Sequence, residues 1–250
     1  MQNAFRFLLG LALAAPFFTQ TVSARDIGTV DVEGDNNTIA IMINSGSPEL
    51  ENLALTAFKA HGRYSIVASR SAIALNFAAA GPKQVTVTIS KNGATLASET
   101  ATGTDLRNAL LRAADFAVTK TSGLHGFFAG KLAFVAEKTG KTEIYTSDLF
   151  FGDVLRWTAE NKQIIAPRWS PDGSRIIFTS YRTSFPDIYV LEMANRRISL
   201  LASFKGTNSG GRYSPNGSRI AMVLSGEGNP EVYVANSQGR QIKRLTNTPS

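Results

Sequence analysis

The stretch WSPDGSRI, residues Trp169–Ile176, returns 44 residues later as YSPNGSRI, residues Tyr213–Ile220. Each copy joins an aromatic residue to an apolar run through a tight turn. In that turn proline presets φ, aspartate or asparagine tolerates the next position, and glycine accepts a positive φ. One such turn in every 40–45 residues or so is typical of a β-propeller blade. The repeat therefore predicts a propeller.

Three other positions recur with the same spacing of 44 residues. The members of each set are mostly apolar or aromatic, as expected of strand residues that face neighbouring blades: Phe134, Phe178 and Met222; Tyr145, Tyr189 and Tyr233; Trp157, Leu201 and Leu245. A single repeat cannot enclose a core, so the units must stack side by side. We predict β-propeller blades over residues 126–250, in about three four-stranded units.

The order of strands within the repeat places inner strands at Ile164–Trp169 and Ser209–Tyr213. The first repeat starts at its second strand, Lys131–Glu137, with no clear Ser-Pro-Asp-Gly turn before it. The sequence stops at Ser250, where a further inner strand would begin. Since propellers have about 4–8 blades, we expect this sequence to be a C-terminally incomplete form of a longer protein.

Residues 38–125 predict a small α/β domain ahead of the blades. Ser47-Pro48-Glu49 is typical of a helix start, and Asn92-Gly93 between alternating runs is typical of a hairpin. The stretch Ser69–Ala80 is ambiguous, and a short helix is one interpretation of it. The order is β-α-β-(α)-β-β-α. The predicted fold class is thus α/β plus all-β, a small N-terminal α/β domain followed by a partial β-propeller.

The first 24 residues have the pattern of a secretory signal peptide. Arg6 provides the positive charge, Phe7–Phe18 the apolar core, and Val22-Ser23-Ala24 the small residues before a cleavage site. The apolar run is too short for a membrane-spanning helix, which needs about 20 such residues. We expect cleavage after Ala24, export, and a flexible N-terminal tail at residues 25–37.

The composition argues against several classes of chemistry. The chain has no cysteine and two histidines, so neither a thiolate nor a multi-histidine metal site is expected. The net charge is +7, but the basic residues are scattered, which favours solvated surface charge over a nucleic-acid interface. No polar residues of the predicted α/β domain form a chemical constellation. We expect no cofactor.

The repeats and the segment before them resemble the TolB family of periplasmic propeller proteins of the Tol–Pal system. The resemblance rests on Thr121–Gly126 (TSGLHG), Arg168–Ser174 (RWSPDGS) and Tyr213–Ser218 (YSPNGS), and on the order of signal peptide, α/β domain and propeller. It implies a non-enzymatic periplasmic scaffold. Such a scaffold links a peptidoglycan-associated lipoprotein, Pal, to inner-membrane Tol proteins, and supports outer-membrane integrity and cell division.

The resemblance also implies where partners bind. A Pal-like lipoprotein would dock on the propeller mouth, at the loops that enter the inner strands, and inner-membrane Tol proteins would engage the N-terminal tail. The implied mouth positions are Gln163, Ile164, Ile165, Thr207, Asn208 and Gly210, and the implied tail positions are Arg25, Asp26 and Ile27. Contact with membranes is expected only through these partners, and nucleic acid is not expected as a partner.

Two other functions stay open at this point. Propellers of serine peptidases share the Ser-Pro-Asp-Gly turn, so the chain would also fit the propeller portion of an exported serine peptidase whose catalytic domain lies elsewhere. That interpretation needs a Gly-x-Ser-x-Gly elbow, and the sequence contains none. A carbohydrate-binding propeller would need aromatic residues at the mouth, and we expect none in the mouth loops.

Overall fold

The computed structural model describes residues 38–69, 72–137 and 140–249. The predicted signal peptide and N-terminal tail, with Arg25, Asp26 and Ile27, lie outside the described residues. The described chain forms one mixed sheet with two helices and then three smaller antiparallel sheets. This architecture confirms the predicted fold class, a small α/β region followed by a partial propeller.

A five-stranded sheet begins the described chain. Its strands are β1 (Ile39–Ser45), β2 (Tyr64–Ile66), β3 (Ile73–Gly81), β4 (Gln84–Lys91) and β5 (Ala94–Thr102), and its helices are α1 (Pro48–Ala60) and α2 (Leu106–Ser122). The strand order is β2-β1-β3-β4-β5, with β1 parallel to both neighbours and the other pairs antiparallel. Phe58 of α1, Leu110 of α2 and Val85 of β4 are buried in one shared core.

The ambiguous stretch Ser69–Ala80 contains strand β3, and the short-helix interpretation is wrong. Leu75 and Phe77 are buried while Asn76 and Ala78 are exposed, so burial alternates with the period of two of a strand. Three successive alanines obscure this alternation in the sequence, because alanine has a high helix propensity and too small a side chain to mark a face.

Three antiparallel sheets follow, and each is one blade. Blade 1 contains β6 (Lys131–Glu137), β7 (Thr142–Asp148) and β8 (Leu155–Arg156); blade 2 contains β9 (Ile164–Trp169), β10 (Arg175–Ser180), β11 (Asp187–Glu192) and β12 (Ile198–Ala202); blade 3 contains β13 (Asn208–Tyr213), β14 (Arg219–Leu224), β15 (Glu231–Asn236) and β16 (Lys243–Arg244). The first inner strand has its predicted bounds, and the other begins one residue earlier, at Asn208. Within the described residues, blade 1 has three strands.

The blades pack face to face through the apolar side chains that repeat in the sequence. Ile144 of blade 1 shares a buried core with Phe178 of blade 2. On the opposite face of blade 2, Ile177 shares a second core with Met222 of blade 3. A Cβ atom at Gly211 would lie 2.6 Å from Cδ1 of Ile177. The absence of a side chain at this position therefore allows β13 to approach blade 2 closely.

The two copies of the repeated turn have the same hydrogen bonds. Gly173 has φ of 68°, and its counterpart in the second copy has φ of 71°. The carboxylate of Asp172 accepts hydrogen bonds from the hydroxyls of Ser170 (2.5 Å) and Ser174 (2.7 Å). Asn216 accepts the equivalent bonds through its amide oxygen. The turn is thus a structural connection between the first and second strands of a blade.

Helix α2 joins the α/β region to blade 1. Asp115 on α2 accepts hydrogen bonds from the backbone N–H groups of Phe128 (2.6 Å) and Ala129 (3.1 Å), just before β6. Arg107, at the start of the same helix, forms an ion pair with Asp148, where β7 ends. The α/β region is therefore held against the end of blade 1 at which β7 finishes.

Candidate partner-binding site

Four loops share the other end of the blades. Two of them enter the inner strands and two join second to third strands: residues 157–163, 203–207, 181–186 and 225–230. They lie at one end because Ser180 pairs with Ile164 in blade 2, and Leu224 pairs with Asn208 in blade 3. We refer to this surface as the mouth end. Strand β7 starts at the mouth end and runs toward the α/β region.

The predicted residues of the first mouth loop differ in their exposure. The side chain of Gln163 is exposed, that of Ile165 is half-buried and that of Ile164 is buried. The N–H of Ile164 donates to Oγ1 of Thr142, and that hydroxyl is also placed to donate to the carbonyl of Ile164, both over 2.7 Å. Gln163 and Ile165 therefore offer side-chain surface at the mouth end, whereas Ile164 fixes the start of β9 in the core.

Asn208 makes more hydrogen bonds than the other predicted residues that the structure describes. It has no exposed surface. Its Nδ2 donates to the carbonyl of Phe204 (2.8 Å) and to Oδ1 of Asp187 (3.2 Å), and its Oδ1 accepts from the N–H of Phe204 (2.8 Å). Its own N–H donates to the carbonyl of Pro186 (2.9 Å). Asn208 thus ties the loop before β13 to the loop before β11.

Thr207 and Gly210 lie on either side of Asn208. The N–H of Thr207 donates to Oγ of Ser225 (2.8 Å), and its carbonyl accepts from the N–H of Ser225 (3.1 Å). Gly210 is exposed and has φ of 67° at a bulge in β13. Ala166 occupies the equivalent bulge in β9, 44 residues earlier, with φ of 53°. The bulge is therefore a repeated feature of the inner strands.

Buried carboxylates hold the mouth end together in every blade. Glu143, Asp187 and Glu231 lie at the start of β7, β11 and β15, 44 residues apart. Their exposed fractions are 1%, 4% and 2%. Burial of a charge is costly unless hydrogen bonds compensate for it, and in blades 1 and 3 the segment after the outer strand supplies most of these bonds. These acids are absent from the predicted site, although their spacing is visible in the sequence.

In blade 1 the donors to the buried acid are a threonine, an arginine and a backbone amide. Oγ1 of Thr158 donates to Glu143 over 2.5 Å, the N–H of Asn161 donates over 3.0 Å, and Nη2 of Arg156 lies 3.3 Å away. Burial raises the pKa of the Glu143 carboxyl, but these hydrogen bonds outweigh it and the net pKa is lowered. The carboxylate is therefore charged and anchors the loop 157–163.

Blade 3 repeats this arrangement. The hydroxyl of Thr246 donates to Glu231, Nη2 of Arg244 lies 3.1 Å from it, and the N–H of Thr248 donates over 2.6 Å. The hydrogen bond from Thr246, followed by that from the Thr248 amide, lowers the pKa of Glu231 to about 2. The chain after β16 is thus held in the same way as the loop that enters blade 2.

Blade 2 departs from this arrangement. Ala202 and Leu200 stand where the other two blades have threonine and arginine, and neither side chain can donate a hydrogen bond. Asp187, a shorter acid, instead accepts from Nδ2 of Asn208 (3.2 Å) and from Oγ1 of Thr183 (3.1 Å). Asn208 therefore donates to the buried acid of blade 2, as the threonine and arginine do in the other two blades.

Two phenylalanines are exposed at the mouth end beside Asn208. Phe185, in the loop before β11, is 63% exposed, and Phe204, in the loop before β13, is 45% exposed. The expectation that the mouth loops contain no aromatic residue is therefore wrong, because it considered only the residues adjoining the inner strands. The hydrogen bonds of Asn208 bring these two loops together, and that contact depends on the tertiary fold.

The four mouth loops carry exposed charges of both signs, and those that form no ion pair are lysines. Lys162 and Lys205 are exposed, and within the described chain neither forms an ion pair. Glu160 and Arg182, by contrast, pair with each other, and Glu227 pairs with Arg244. The three acids at the start of β7, β11 and β15 are buried, so the unpaired exposed charges of the mouth loops are those of the two lysines.

The two histidines lie apart from this surface. His61 packs against the rings of Tyr64 (5.1 Å between centroids) and Phe127 (5.4 Å), and His125 lies in the segment between α2 and β6. Within residues 38–69, 72–137 and 140–249, no group of three or more His, Asp or Glu side chains is placed to hold a metal ion. In the same part of the chain, neither α1 nor α2 is long and apolar enough to cross a bilayer.

Comparison with known proteins identifies a family. The model of the TolB β-propeller domain matches residues 118–250, a little more than half of the chain. The chain is 36% identical over 98 residues to the Tol-Pal system protein TolB of Azoarcus sp. (strain BH72), and 33% identical over 112 residues to that of Polaromonas naphthalenivorans (strain CJ2). These alignments cover 39% and 45% of this chain.

The chain aligns with about a quarter of the length of these relatives, 23% and 26% respectively. The crystal structure of TolB from Acinetobacter baumannii superposes with a TM-score of 0.72 at 22% identity, over 84% of this chain and 61% of that one. That similarity supports the fold. The similarity to Tol-Pal proteins does not favour the serine-peptidase alternative.

Proposed function

The chain belongs to the TolB β-propeller domain family, and on that premise we propose that it is a periplasmic protein–protein interaction scaffold of the Tol–Pal system. The observation that carries the proposal is the family match over the blades, joined to relatives that are named as Tol-Pal system proteins. We propose a binding role without catalysis, in support of outer-membrane integrity and cell division.

The mouth end is the proposed site for a Pal-like lipoprotein. Its loops are held by buried, hydrogen-bonded acids, and binding sites are commonly formed by loops on such a rigid scaffold. Gln163, Ile165, Thr207 and Gly210 would contribute surface to the partner. Ile164 and Asn208 are buried, so they would act by fixing the loops.

The proposed second site is the N-terminal tail, at Arg25, Asp26 and Ile27. Export by the signal peptide, with cleavage after Ala24, would place this tail in the periplasm beside inner-membrane Tol proteins. The two sites would then connect an outer-membrane partner with an inner-membrane one.

Affinity capture with the exported chain, residues 25–250, tests both sites separately. A tagged chain should recover a Pal-like lipoprotein and inner-membrane Tol proteins from an envelope extract. Gln163→Glu combined with Thr207→Glu should remove the lipoprotein and leave the Tol proteins, because the mouth end gains bulk at position 207 and two negative charges. Deletion of residues 25–27 should have the reverse effect.

Leu96→Glu is the matched control, because Leu96 is 59% exposed on β5 in the α/β region. This variant should recover both sets of partners. Recovery of neither set by the unmodified chain would contradict the proposed function. Loss of both sets in either site variant would contradict the assignment of separate sites.

A further inference from the structure

We infer that Phe185 and Phe204 anchor a protein partner at the mouth end, that Asn208 positions them, and that the partner offers an apolar side chain bordered by carboxylates. This inference rests on the proposed scaffold function and names the surface and the chemistry of that contact. It concerns side chains that the family resemblance did not point to.

The two phenylalanines have the exposure expected of interface anchors. Phe185 and Phe204 are 63% and 45% exposed, and they stand on loops that Asn208 joins. Burial of an aromatic side chain at an interface contributes more than burial of most other residues, and such anchors cluster at the centre of a contact. Two exposed rings on loops that Asn208 joins offer apolar surface to a partner.

Asn208 fixes the backbone of both anchors without reaching the surface. It bonds both backbone groups of Phe204, and its own N–H donates to the carbonyl of Pro186, the neighbour of Phe185. The loop before β11 is also tied by Thr183, whose hydroxyl is placed to bond the carbonyl of Phe185 (2.9 Å) and the carboxylate of Asp187. The anchors are thus pre-organised, which reduces the entropy lost on binding.

The charge around the patch indicates the partner. Lys162 and Lys205 are exposed on the mouth loops and Lys205 follows Phe204 directly, whereas the acids of these loops, Glu160 and Glu227, each pair with an arginine. A polar rim of one sign steers a partner of the opposite sign and raises the association rate at low salt. The geometry therefore favours a protein surface with carboxylates around an apolar side chain.

Binding of the soluble domain of the Pal-like lipoprotein from the same genome provides the test. Phe185→Ser and Phe204→Ser should each weaken binding at least about tenfold, as expected for an anchor residue. Phe151→Ser is the matched control, because Phe151 is 64% exposed but follows β7 at the opposite end of blade 1. It should change the affinity less than about twofold.

A double-mutant cycle tests positioning by Asn208, with Asn208→Ala protein that urea unfolding shows to be folded under the binding conditions. Asn208→Ala alone should weaken binding at least as much as Phe204→Ser, and the two together should weaken it little further, because Asn208 fixes the backbone of Phe204. Independent effects that multiply would overturn the positioning role.

Lys205→Glu should slow association at low salt and have little effect at high salt. An equal effect at both salt concentrations would overturn the charge argument.

A photo-crosslinking phenylalanine analogue at position 204 tests the contact in living cells. A crosslink to an identified envelope protein, abolished by Phe185→Ser, would support the inference. A crosslink to glycan or to a second copy of this chain, or no crosslink, would overturn it. If the unmodified chain binds the lipoprotein domain but Phe185→Ser and Phe204→Ser bind as tightly, the anchors are wrong and the scaffold function stands. If the unmodified chain binds no Tol–Pal protein, the scaffold function itself fails.

Discussion

Ala166 and Gly210 form a matched pair that tests the backbone energetics of the repeated bulge. Both are exposed, with φ of 53° and 67°. A residue with a Cβ atom in this left-handed region is destabilised by about 1–2 kcal/mol, and the greater freedom of glycine in the unfolded chain offsets about 0.4–1 kcal/mol of that. Ala166→Gly should therefore raise the free energy of unfolding by about 0.5–1 kcal/mol.

Gly210→Ala should lower the free energy of unfolding by a similar amount. A Cβ atom at this position would meet only Cγ2 of Val223, at 3.8 Å, which is an ordinary contact. The substitution therefore introduces backbone strain without a steric clash. Because the two bulges lie in different blades, their effects should add, and the double variant should return close to the stability of the unmodified protein.

Urea unfolding followed by tryptophan fluorescence measures these changes. The only two tryptophans are Trp157, directly after β8 of blade 1, and Trp169, in β9 of blade 2, so the signal reports the propeller region. A shifted midpoint with an unchanged m-value indicates a change in stability. Ala221→Gly is the control, because Ala221 is exposed in β14, where glycine weakens a strand. A lower midpoint for Ala166→Gly, or an unchanged one for Gly210→Ala, would refute the reasoning.

Three further predictions concern buried or crowded groups. The folded pKa of Glu231 is about 2, below its ordinary value of 4.5, so its carboxylate stabilises the fold above about pH 4.5 and loses this effect as the pH falls toward 2. The melting temperature of Glu231→Gln should thus lie below that of the unmodified protein at pH 7 and meet it near pH 2; a constant difference would contradict the role of the charge. Asp172→Asn should keep the repeated turn, since Asn216 makes the same bonds in the second copy. It should remove the part of the pH dependence of stability that comes from the lowered pKa of Asp172, about 2. An unchanged pH profile of the melting temperature would contradict this. Gly126→Ala should lower the free energy of unfolding by about 1–3 kcal/mol, because its Cβ atom would lie 2.4 Å from a Cα atom of α2. Gly46→Ala is the control; it has open space around it and should lower the free energy of unfolding by less than about 1 kcal/mol. Equal urea midpoints for the two variants would contradict the crowding at Gly126.

Much of the blade architecture could be predicted because it is local. The turn at Trp169–Ile176 specifies a hairpin through residues that are adjacent in sequence, and its return at Tyr213–Ile220 fixes the period. Strand β3 was harder to predict from the sequence, because its alanines fit a helix as well as a strand. The buried acid Glu143 was missed for a different reason. A lone glutamate in a strand is ordinarily a solvated charge, and only the tertiary fold brings Thr158 within hydrogen-bonding distance of it.

The repeat itself separates structural positions from candidate functional ones. Where blades 1 and 3 use threonine and arginine to hold the buried acid, blade 2 has Ala202 and Leu200. A blade that had only lost these donors would leave Asp187 buried and poorly bonded, at a cost in free energy. Instead Asn208 supplies a donor and, in doing so, fixes the exposed Phe204. The departure from the repeat and the exposed aromatic patch thus coincide, which is why we place the binding surface at the junction of blades 2 and 3 and not at the repeated turn.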